Sequence, residues 1–330
     1  MKILYAGSPE AAATTLKIIL QKQSECGFEV AGVFTNPPSV QGRHKDLIPT
    51  PVETLARENN IPVFTPEHLD AECREKIIPL KADLLVCFAY GHIFGPKFLS
   101  MFPLGGIKLH PSLLPKYRGC TPVPAAILNR DEKTAVTIQT LGLKMDEGDI
   151  LCQKIIDLDG TETAGSLLNN AAEIGAELIS ELLKQISESE KSGSKFEMPS
   201  GRKQEGEASY TGIIKKEDGR INWNKTAEEI DAMIRAYTPD PGCWTMLGNE
   251  SLRILKAAAC KNESLSVPDN ADENCSEAGT VLSFVKAEGI YIKCGNGMLC
   301  VTELQKQGKK AMGYKDFMNG AKNFLGEKLI

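Results

Sequence analysis

Short apolar runs alternate with stretches of helical spacing in the N-terminal part of this chain. The runs cover residues 2–5, 29–35 and 83–89 and are rich in Val, Ile and Leu, whereas residues 11–23 and 52–59 have the apolar spacing of helices. Strands that alternate with helices form βαβ units. We therefore predict an α/β fold with a doubly wound, mainly parallel, Rossmann-like sheet, whose ligands bind at the carboxyl ends of the strands.

The first turn of this sheet has the sequence Ala-Gly-Ser-Pro at residues 6–9. It contains one glycine, whereas a dinucleotide-binding turn has three, so NAD binding is poorly supported. We interpret Ser8 as the N-cap of the following helix and Pro9 as its first residue.

The pattern changes after residue 187, where a polar stretch rich in Ser, Glu, Lys and Gly has no apolar periodicity. Beyond it, short strands recur at intervals that are typical of a small, OB-like β-barrel. They are predicted at residues 252–257, 279–284, 290–294 and 299–304. We therefore predict a catalytic domain at 1–188, a linker at 189–205 and a C-terminal barrel domain at 206–330, with a loop insertion at 261–277.

The length and charge of the chain limit the classes of protein to consider. With 330 residues, two domains are expected, since a single domain usually has about 100 to 200. No uncharged apolar run reaches the roughly 18 residues of a membrane helix, and no targeting segment is recognisable, so we expect a cytoplasmic protein without membrane contact. The net charge of −5 restricts any nucleic-acid contact to a local patch.

One such patch lies near the C-terminus. Its lysines are Lys306, Lys309, Lys310, Lys315, Lys322 and Lys328. Taken alone, this cluster is explained better by an ordinary solvated surface than by nucleic-acid binding. The ten cysteines include no C-x-x-C pair, so we expect reduced thiols and no metal site.

A candidate catalytic histidine follows an apolar strand. Residues 105–119 read GGIKLHPSLLPKYRG, which places His110 at the strand end before a rigid, proline-bounded turn. A second segment, 142–150, reads GLKMDEGDI and places Asp146 on a turn between two strands. A carboxylate beside a neutral imidazole raises its pKa and suits it to act as a base. A structural histidine and a turn-capping aspartate remain alternatives.

Together, these two segments resemble the folate-dependent formyltransferase family, whose signature is Asn-x-His followed by Ser-Leu-Leu-Pro and later by an Asp-x-Gly turn. The resemblance implies that His110 is the general base and acid and that Asp146 orients it. It also implies a folate pocket, whose residues would be Ser112, Leu113, Leu114, Pro115, Tyr90 and Gly91. The family asparagine, which hydrogen-bonds the formyl oxygen, is replaced here by Lys108, whose flexible ammonium would face the oxyanion.

Other segments resemble one branch of that family, the methionyl-tRNA formyltransferases. Residues 34–53 look like their tRNA-contacting loop, and the sequences RINW, IRAYTPDP and LQKQGKKAM resemble their C-terminal barrel. This branch implies transfer of formyl from 10-formyltetrahydrofolate to the amine of initiator methionyl-tRNA, without a metal. It also implies tRNA contacts from Arg43, Lys45, Lys309 and Lys310, and we expect a monomer.

Two other functions remain open from the sequence. The same catalytic domain could formylate another amine, such as an amino sugar nucleotide. Alternatively, Lys108 could mark a folate-binding homologue that is impaired in catalysis.

Overall fold

A computed structural model describes residues 1–41, 46–190, 196–260, 277–321 and 323–330. The chain forms two compact units. The first comprises Met1–Pro122, Lys133–Asp157 and Leu168–Thr211, and the second comprises Val123–Glu132, Leu158–Leu167 and Gly212–Ile330. The predicted tRNA residues Arg43 and Lys45, part of the predicted linker and nearly all of the predicted loop insertion lie outside the described residues.

Eleven strands lie among the described residues of the first unit. They are β1 (Lys2–Ala6), β2 (Glu29–Phe34), β3 (Ser39–Gln41), β4 (Asp46–Ile48), β5 (Val63–Phe64), β6 (Leu84–Cys87), β7 (Gly106–His110), β8 (Arg118–Gly119), β9 (Lys133–Thr140), β10 (Ile150–Asp157) and β11 (Tyr210–Thr211). Seven form the central sheet in the order β10-β9-β7-β6-β1-β2-β5. The five strands β7, β6, β1, β2 and β5 pair in parallel. Strand β9 pairs antiparallel with β7, and β10 pairs antiparallel with β9.

The helices connect these strands. They are α1 (Glu10–Cys26), α2 (Pro51–Glu58), α3 (Ala71–Ile77), α4 (Pro96–Leu99), α5 (Pro122–Leu128) and α6 (Ala164–Glu190). Helix α6 lies close to the sheet at Gly175, where an added Cβ would lie 2.0 Å from Leu109 of β7. Since side chains alternate along a strand, this packing leaves Lys108 and His110 together on the other face of β7.

The second unit is built around an antiparallel sheet. Its elements are α7 (Ala227–Ala236), β12 (Cys243–Leu247), β13 (Glu250–Cys260), β14 (Val281–Val285), β15 (Gly289–Lys293), β16 (Met298–Lys306), β17 (Met312–Gly313) and α8 (Tyr314–Gly320). The sheet has the order β12-β13-β16-β15-β14, and β17 also pairs with β16. Near the C-terminus, Leu329 bridges Leu247 of β12 and Lys328 bridges Thr280 beside β14, so the chain end connects both edges.

The predicted fold class is confirmed, because a mainly parallel sheet with helices is followed by a small antiparallel β-unit. The prediction for Ser8 is wrong. Helix α1 begins at Glu10 with Pro9 as its N-cap, and the Ser8 hydroxyl instead accepts hydrogen bonds from Asn36 N and the Thr35 hydroxyl. The hydroxyl thus ties the end of β1 to the end of β2. No helix among the described residues is both long and apolar enough to cross a membrane.

Candidate active site

His110 is the last residue of β7 and lies at the carboxyl end of the parallel sheet, as predicted. Only 2 % of the residue is exposed. Its Nε2 lies 2.9 Å from the carbonyl oxygen of Tyr117, in the turn that follows the strand. Because a carbonyl oxygen only accepts hydrogen bonds, Nε2 carries a proton, and the neutral imidazole has its lone pair on Nδ1.

Asp146 lies on the turn between β9 and β10, and its side chain is fully buried. Its Oδ2 is 3.6 Å from Nδ1 of His110 and accepts a 2.9 Å hydrogen bond from the backbone N–H of Gly119. Its Oδ1 accepts a 3.0 Å hydrogen bond from Nε2 of Gln139. The structure therefore brings the two predicted catalytic residues together. Asp146 faces the nitrogen that gains a proton, while the Tyr117 carbonyl fixes the tautomer.

Lys108 occupies the same face of β7 as His110, two residues earlier. Its Nζ lies 2.5 Å from Oδ1 of Asp146, and 27 % of its side chain is exposed. The ammonium is thus anchored by the carboxylate and not held by the flexible stem alone. Since an ammonium has three N–H donors, donors remain for a second acceptor on the exposed side.

The surroundings of His110 and Asp146 shift the pKa of both groups. Burial lowers the pKa of His110, and Lys108 lowers it further, whereas Asp146 and the hydrogen bond to Tyr117 raise it; the net direction is downward. The carboxylate thus acts in the expected direction on the pKa of His110, but burial outweighs it. Burial by itself raises the pKa of Asp146, but His110, Lys108 and the Gly119 N–H hold that pKa below its ordinary value. At neutral pH the site therefore contains a neutral imidazole and a carboxylate.

The predicted folate-pocket residues lie around the same edge of the sheet. Ser112 and Leu114 are buried, and Leu113 and Pro115 are half-buried. The Ser112 hydroxyl donates to the carbonyl oxygen of Lys116 at 2.7 Å, so it holds its own turn. The Ser112 carbonyl accepts from the Thr137 hydroxyl, also at 2.7 Å, which ties this turn to β9.

Tyr90 and Gly91 follow β6, and they differ in environment. Tyr90 is 1 % exposed and packs in an aromatic cluster, with ring centroids 5.6 Å from Phe94 and 6.2 Å from Phe34. Gly91 is exposed and has a φ of +85°, which favours glycine. The tyrosine thus contributes to the wall behind the strand end, and the glycine lies at the surface.

The predicted tRNA-contacting lysines lie in the second unit. Lys309 and Lys310 are exposed on the turn between β16 and β17. This turn is closed by a hydrogen bond from the Lys309 N–H to the Lys306 carbonyl and by Nε2 of Gln305, which donates to the Lys309 carbonyl at 2.8 Å. The two charges therefore project from a defined turn.

Two polar residues that were not expected from the sequence, Gln139 and Gln204, bond to Asp146, and a third, Arg118, bonds to Gln204. Gln139 lies on β9 opposite Lys108, so both side chains share one face, and this cross-strand register is not visible in the sequence. Gln204 donates from Nε2 to the carbonyls of Asp146 and Gly148, at 2.7 and 2.8 Å. Its Oε1 accepts from Arg118 at 2.8 Å. Gln204 falls in the stretch predicted as a linker, where only its polar character was apparent.

This arrangement has the groups needed for proton transfer next to a developing negative charge. His110 can accept a proton at Nδ1, where the Asp146 carboxylate stabilises the resulting cation. The anchored ammonium of Lys108 offers N–H donors to an oxyanion. Such a set is typical of acyl-type group transfer to an amine.

Comparisons with known proteins agree with this chemistry. Residues 1–183 match the family model described as formyl transferase. Residues 213–322 match the model of the formyl transferase C-terminal domain. The first match alone covers more than half of the 330 residues.

Relatives of known name match over the whole chain. The chain is 43 % identical to the methionyl-tRNA formyltransferase of Treponema denticola, over 98 % of both chains. It is 38 % identical to the enzyme of the same name from Treponema pallidum, over 100 % of this chain and 99 % of that one.

Solved structures with a similar fold include formyltransferases of different substrates. The methionyl-tRNA formyltransferase of Clostridium thermocellum matches with a TM-score of 0.54 and 20 % identity, over 80 % of this chain and 95 % of that one. WlaRD, a sugar 3N-formyl transferase, matches with a TM-score of 0.62 and 21 % identity, over 94 % and 99 %. At these identities the matches show the fold alone.

Proposed function

Because this chain belongs to the formyl transferase family, we propose that it transfers the formyl group of 10-formyltetrahydrofolate to the amino group of initiator methionyl-tRNA. The observation that carries the proposal is the grouping of Lys108, His110 and Asp146 at the carboxyl end of β7. The full-length similarity to two Treponema enzymes of that name supports the choice of acceptor. Translation initiation would place this reaction in the cytoplasm.

The residues of the site fit a formyl group. A formyl oxygen accepts hydrogen bonds and gains negative charge during amine attack, and the partly exposed ammonium of Lys108 is a donor of the required sign. The bound folate supplies the formyl group, and the aminoacyl-tRNA supplies the amine. No metal is part of this proposal.

We assign the protein's part in the reaction as follows. His110 accepts the proton that the attacking amine loses, at Nδ1, and returns a proton to the departing folate nitrogen. The Tyr117 carbonyl keeps the other ring nitrogen protonated throughout. Asp146 stabilises the protonated imidazole, and Lys108 donates to the formyl oxygen. Ser112, Leu113, Leu114 and Pro115, with Tyr90 and Gly91, line the folate side of the site.

The acceptor tRNA is proposed to bind through its phosphates. The exposed lysines Lys309 and Lys310, together with Arg43 and Lys45, provide positive charge on a chain that is acidic overall. We propose that the catalytic domain covers residues 1–188 and that residues 206–330 form the tRNA-binding domain, joined by 189–205. We further propose that the chain acts as a monomer.

The experiment that tests the function measures transfer of labelled formyl from 10-formyltetrahydrofolate to charged initiator tRNA. The native chain is compared with Lys108→Asn, which restores the family residue. Turnover by the native chain is the expected result and would mean that lysine serves at the oxyanion position. Activity only in Lys108→Asn would identify a catalytically impaired homologue. Activity in neither would contradict the proposed acceptor and return an amino sugar nucleotide to consideration.

A further inference from the structure

Two residues that contact His110 have a left-handed backbone. Tyr117, whose carbonyl accepts from Nε2, has a φ of +59°, and Asp146, whose carboxylate faces Nδ1, has a φ of +56°. This conformation is unfavourable in a residue other than glycine, and it persists only where the surrounding structure enforces it. Each turn therefore needs partners that hold it.

The partners come from one segment, residues 202–211, which we call the strap. Gln204 donates from Nε2 to the carbonyl of Asp146 at 2.7 Å and to that of Gly148 at 2.8 Å. The Ser209 hydroxyl accepts the N–H of Tyr117 at 2.9 Å. The strap thus binds the backbone of both left-handed residues.

The strap is itself fixed along its length. Arg202 exchanges two backbone hydrogen bonds with Ile150, and Lys203 pairs with Asp149 at 2.9 Å. At its far end, β11 pairs with β8, and an added Cβ on Gly119 would lie 2.2 Å from the Thr211 carbonyl oxygen.

Arg118 links the strap to the turn that carries Asp146. Its Nε and Nη2 donate to Oε1 of Gln204 at 3.1 and 2.8 Å, and its Nη1 donates to the Tyr210 hydroxyl at 2.8 Å. The same Nη1 lies 3.2 Å from the Glu147 carboxylate. Gln204 therefore bonds to two different turns. Its side-chain Oε1 accepts from Arg118, which follows Tyr117, and its Nε2 donates to the turn that carries Asp146.

We propose that the strap is a positioning element of the active site, in which Gln204 and Ser209 hold Asp146 and Tyr117 against the two nitrogens of His110. The catalytic part of this inference rests on the proposed function. The segment does more than join two domains, because without it both left-handed turns lose a backbone partner. Gln204 and Ser209 touch His110 only through other residues, so they are positioning residues.

The test measures the ionisation of His110 directly, by nitrogen-15 NMR of the histidine rings in the full chain. The chain has four histidines, and a His110→Gln spectrum assigns the signal. The charged groups facing His110 are Asp146 and Lys108. Gln204→Met keeps the length of the side chain and removes its hydrogen bonds. As a matched control, Glu205→Ala changes an exposed neighbour on the strap.

We expect Gln204→Met to lower the pKa of His110 by about 0.5 pH unit or more, because the Asp146 carboxylate, which raises this pKa, moves away from the ring. Ser209→Ala should weaken the Nε2–H signal that reports the Tyr117 contact. In formyl transfer, Gln204→Met should lower kcat about tenfold, with both KM values within about twofold of the native values. Glu205→Ala should match the native chain in every measurement.

An unchanged His110 pKa and tautomer in folded Gln204→Met and Ser209→Ala would overturn the proposal and leave the strap as a connector. If Gln204→Met does not fold, Gln204→Glu, which keeps the acceptor for Arg118 and loses the amide donors, replaces it. The NMR titration needs no turnover. An inactive native chain would therefore contradict the proposed function while the strap is still tested.

Discussion

Nζ of Lys108 lies 2.5 Å from Oδ1 of Asp146, on the opposite oxygen from the one that faces His110. The carboxylate therefore serves a lysine and a histidine at once. Lys108 lowers the pKa of His110, and Asp146 raises it. Their balance, together with burial, decides the protonation state of the histidine.

Removing the charge of Lys108 and removing that of Asp146 should shift the acid limb of the kcat/KM–pH profile in opposite directions. His110 must be neutral to accept a proton, so kcat/KM rises with pH through its pKa, which lies below its ordinary value of about 6.5. Lys108→Asn should move this limb to higher pH, and Asp146→Asn should move it to lower pH. Shifts in the same direction in both variants would contradict the assignment.

Removing the imidazole should affect chemistry more than binding. We expect His110→Ala to lower kcat by about 10² to 10⁴, with the KM for tRNA nearly unchanged. Steady-state kinetics at saturating folate measures both parameters. The alternative of a structural histidine predicts near-native turnover in the fraction of the variant that folds.

The Lys108–Asp146 pair should also contribute to stability. Lys108→Met keeps the stem and removes the ammonium, leaving the buried Asp146 with its hydrogen bonds from Gln139 and Gly119. Because the lysine is partly exposed, we expect the free energy of unfolding to fall by about 1 to 2 kcal/mol. Urea denaturation at neutral pH checks this, with Lys144→Met, an exposed lysine on the same turn, as the control.

The turn that carries Asp146 should tolerate an added methyl group at one glycine and not at another. A Cβ at Gly148 would lie 1.7 Å from the Thr140 carbonyl oxygen, whereas one at Gly142 meets nothing within 4 Å. Gly148→Ala should therefore lower the free energy of unfolding by about 1 to 3 kcal/mol and reduce kcat, with little change in Gly142→Ala. Equal stability of the two variants would show that the turn relaxes freely.

The basic turn of the second unit should act on tRNA affinity. We expect Lys309→Ala combined with Lys310→Ala to raise the KM for tRNA and to reduce the salt slope of binding by about 1 to 2, since each phosphate contact contributes about 0.9. The control is Lys133→Ala with Lys154→Ala, which removes two exposed lysines from β9 and β10 of the first sheet. An unchanged KM for tRNA and an unchanged salt slope would mean that these lysines belong to an ordinary solvated surface and do not bind tRNA.

The sequence by itself determined the order and type of the main elements and the identity of the central histidine. Apolar periodicity is local, so residues 2–5 and 29–35 already predicted β1 and β2, and residues 11–23 predicted most of α1. The Ser8 prediction failed because the end of β2, distant in sequence, offers its hydroxyl better hydrogen-bond partners than the following helix does.

Only the tertiary structure decided what surrounds His110. The hydrogen bonds around it connect residues that are far apart in the sequence. The separation is 38 residues for Lys108 and Asp146, 58 for Asp146 and Gln204, and 92 for Tyr117 and Ser209. No periodic pattern encodes such pairs, because they depend on strand register and on the path of an irregular segment. The residues Lys108, His110 and Asp146 could therefore be identified from the sequence. The anchoring of Lys108 by Asp146 and the contacts of the strap could be found only in the tertiary structure.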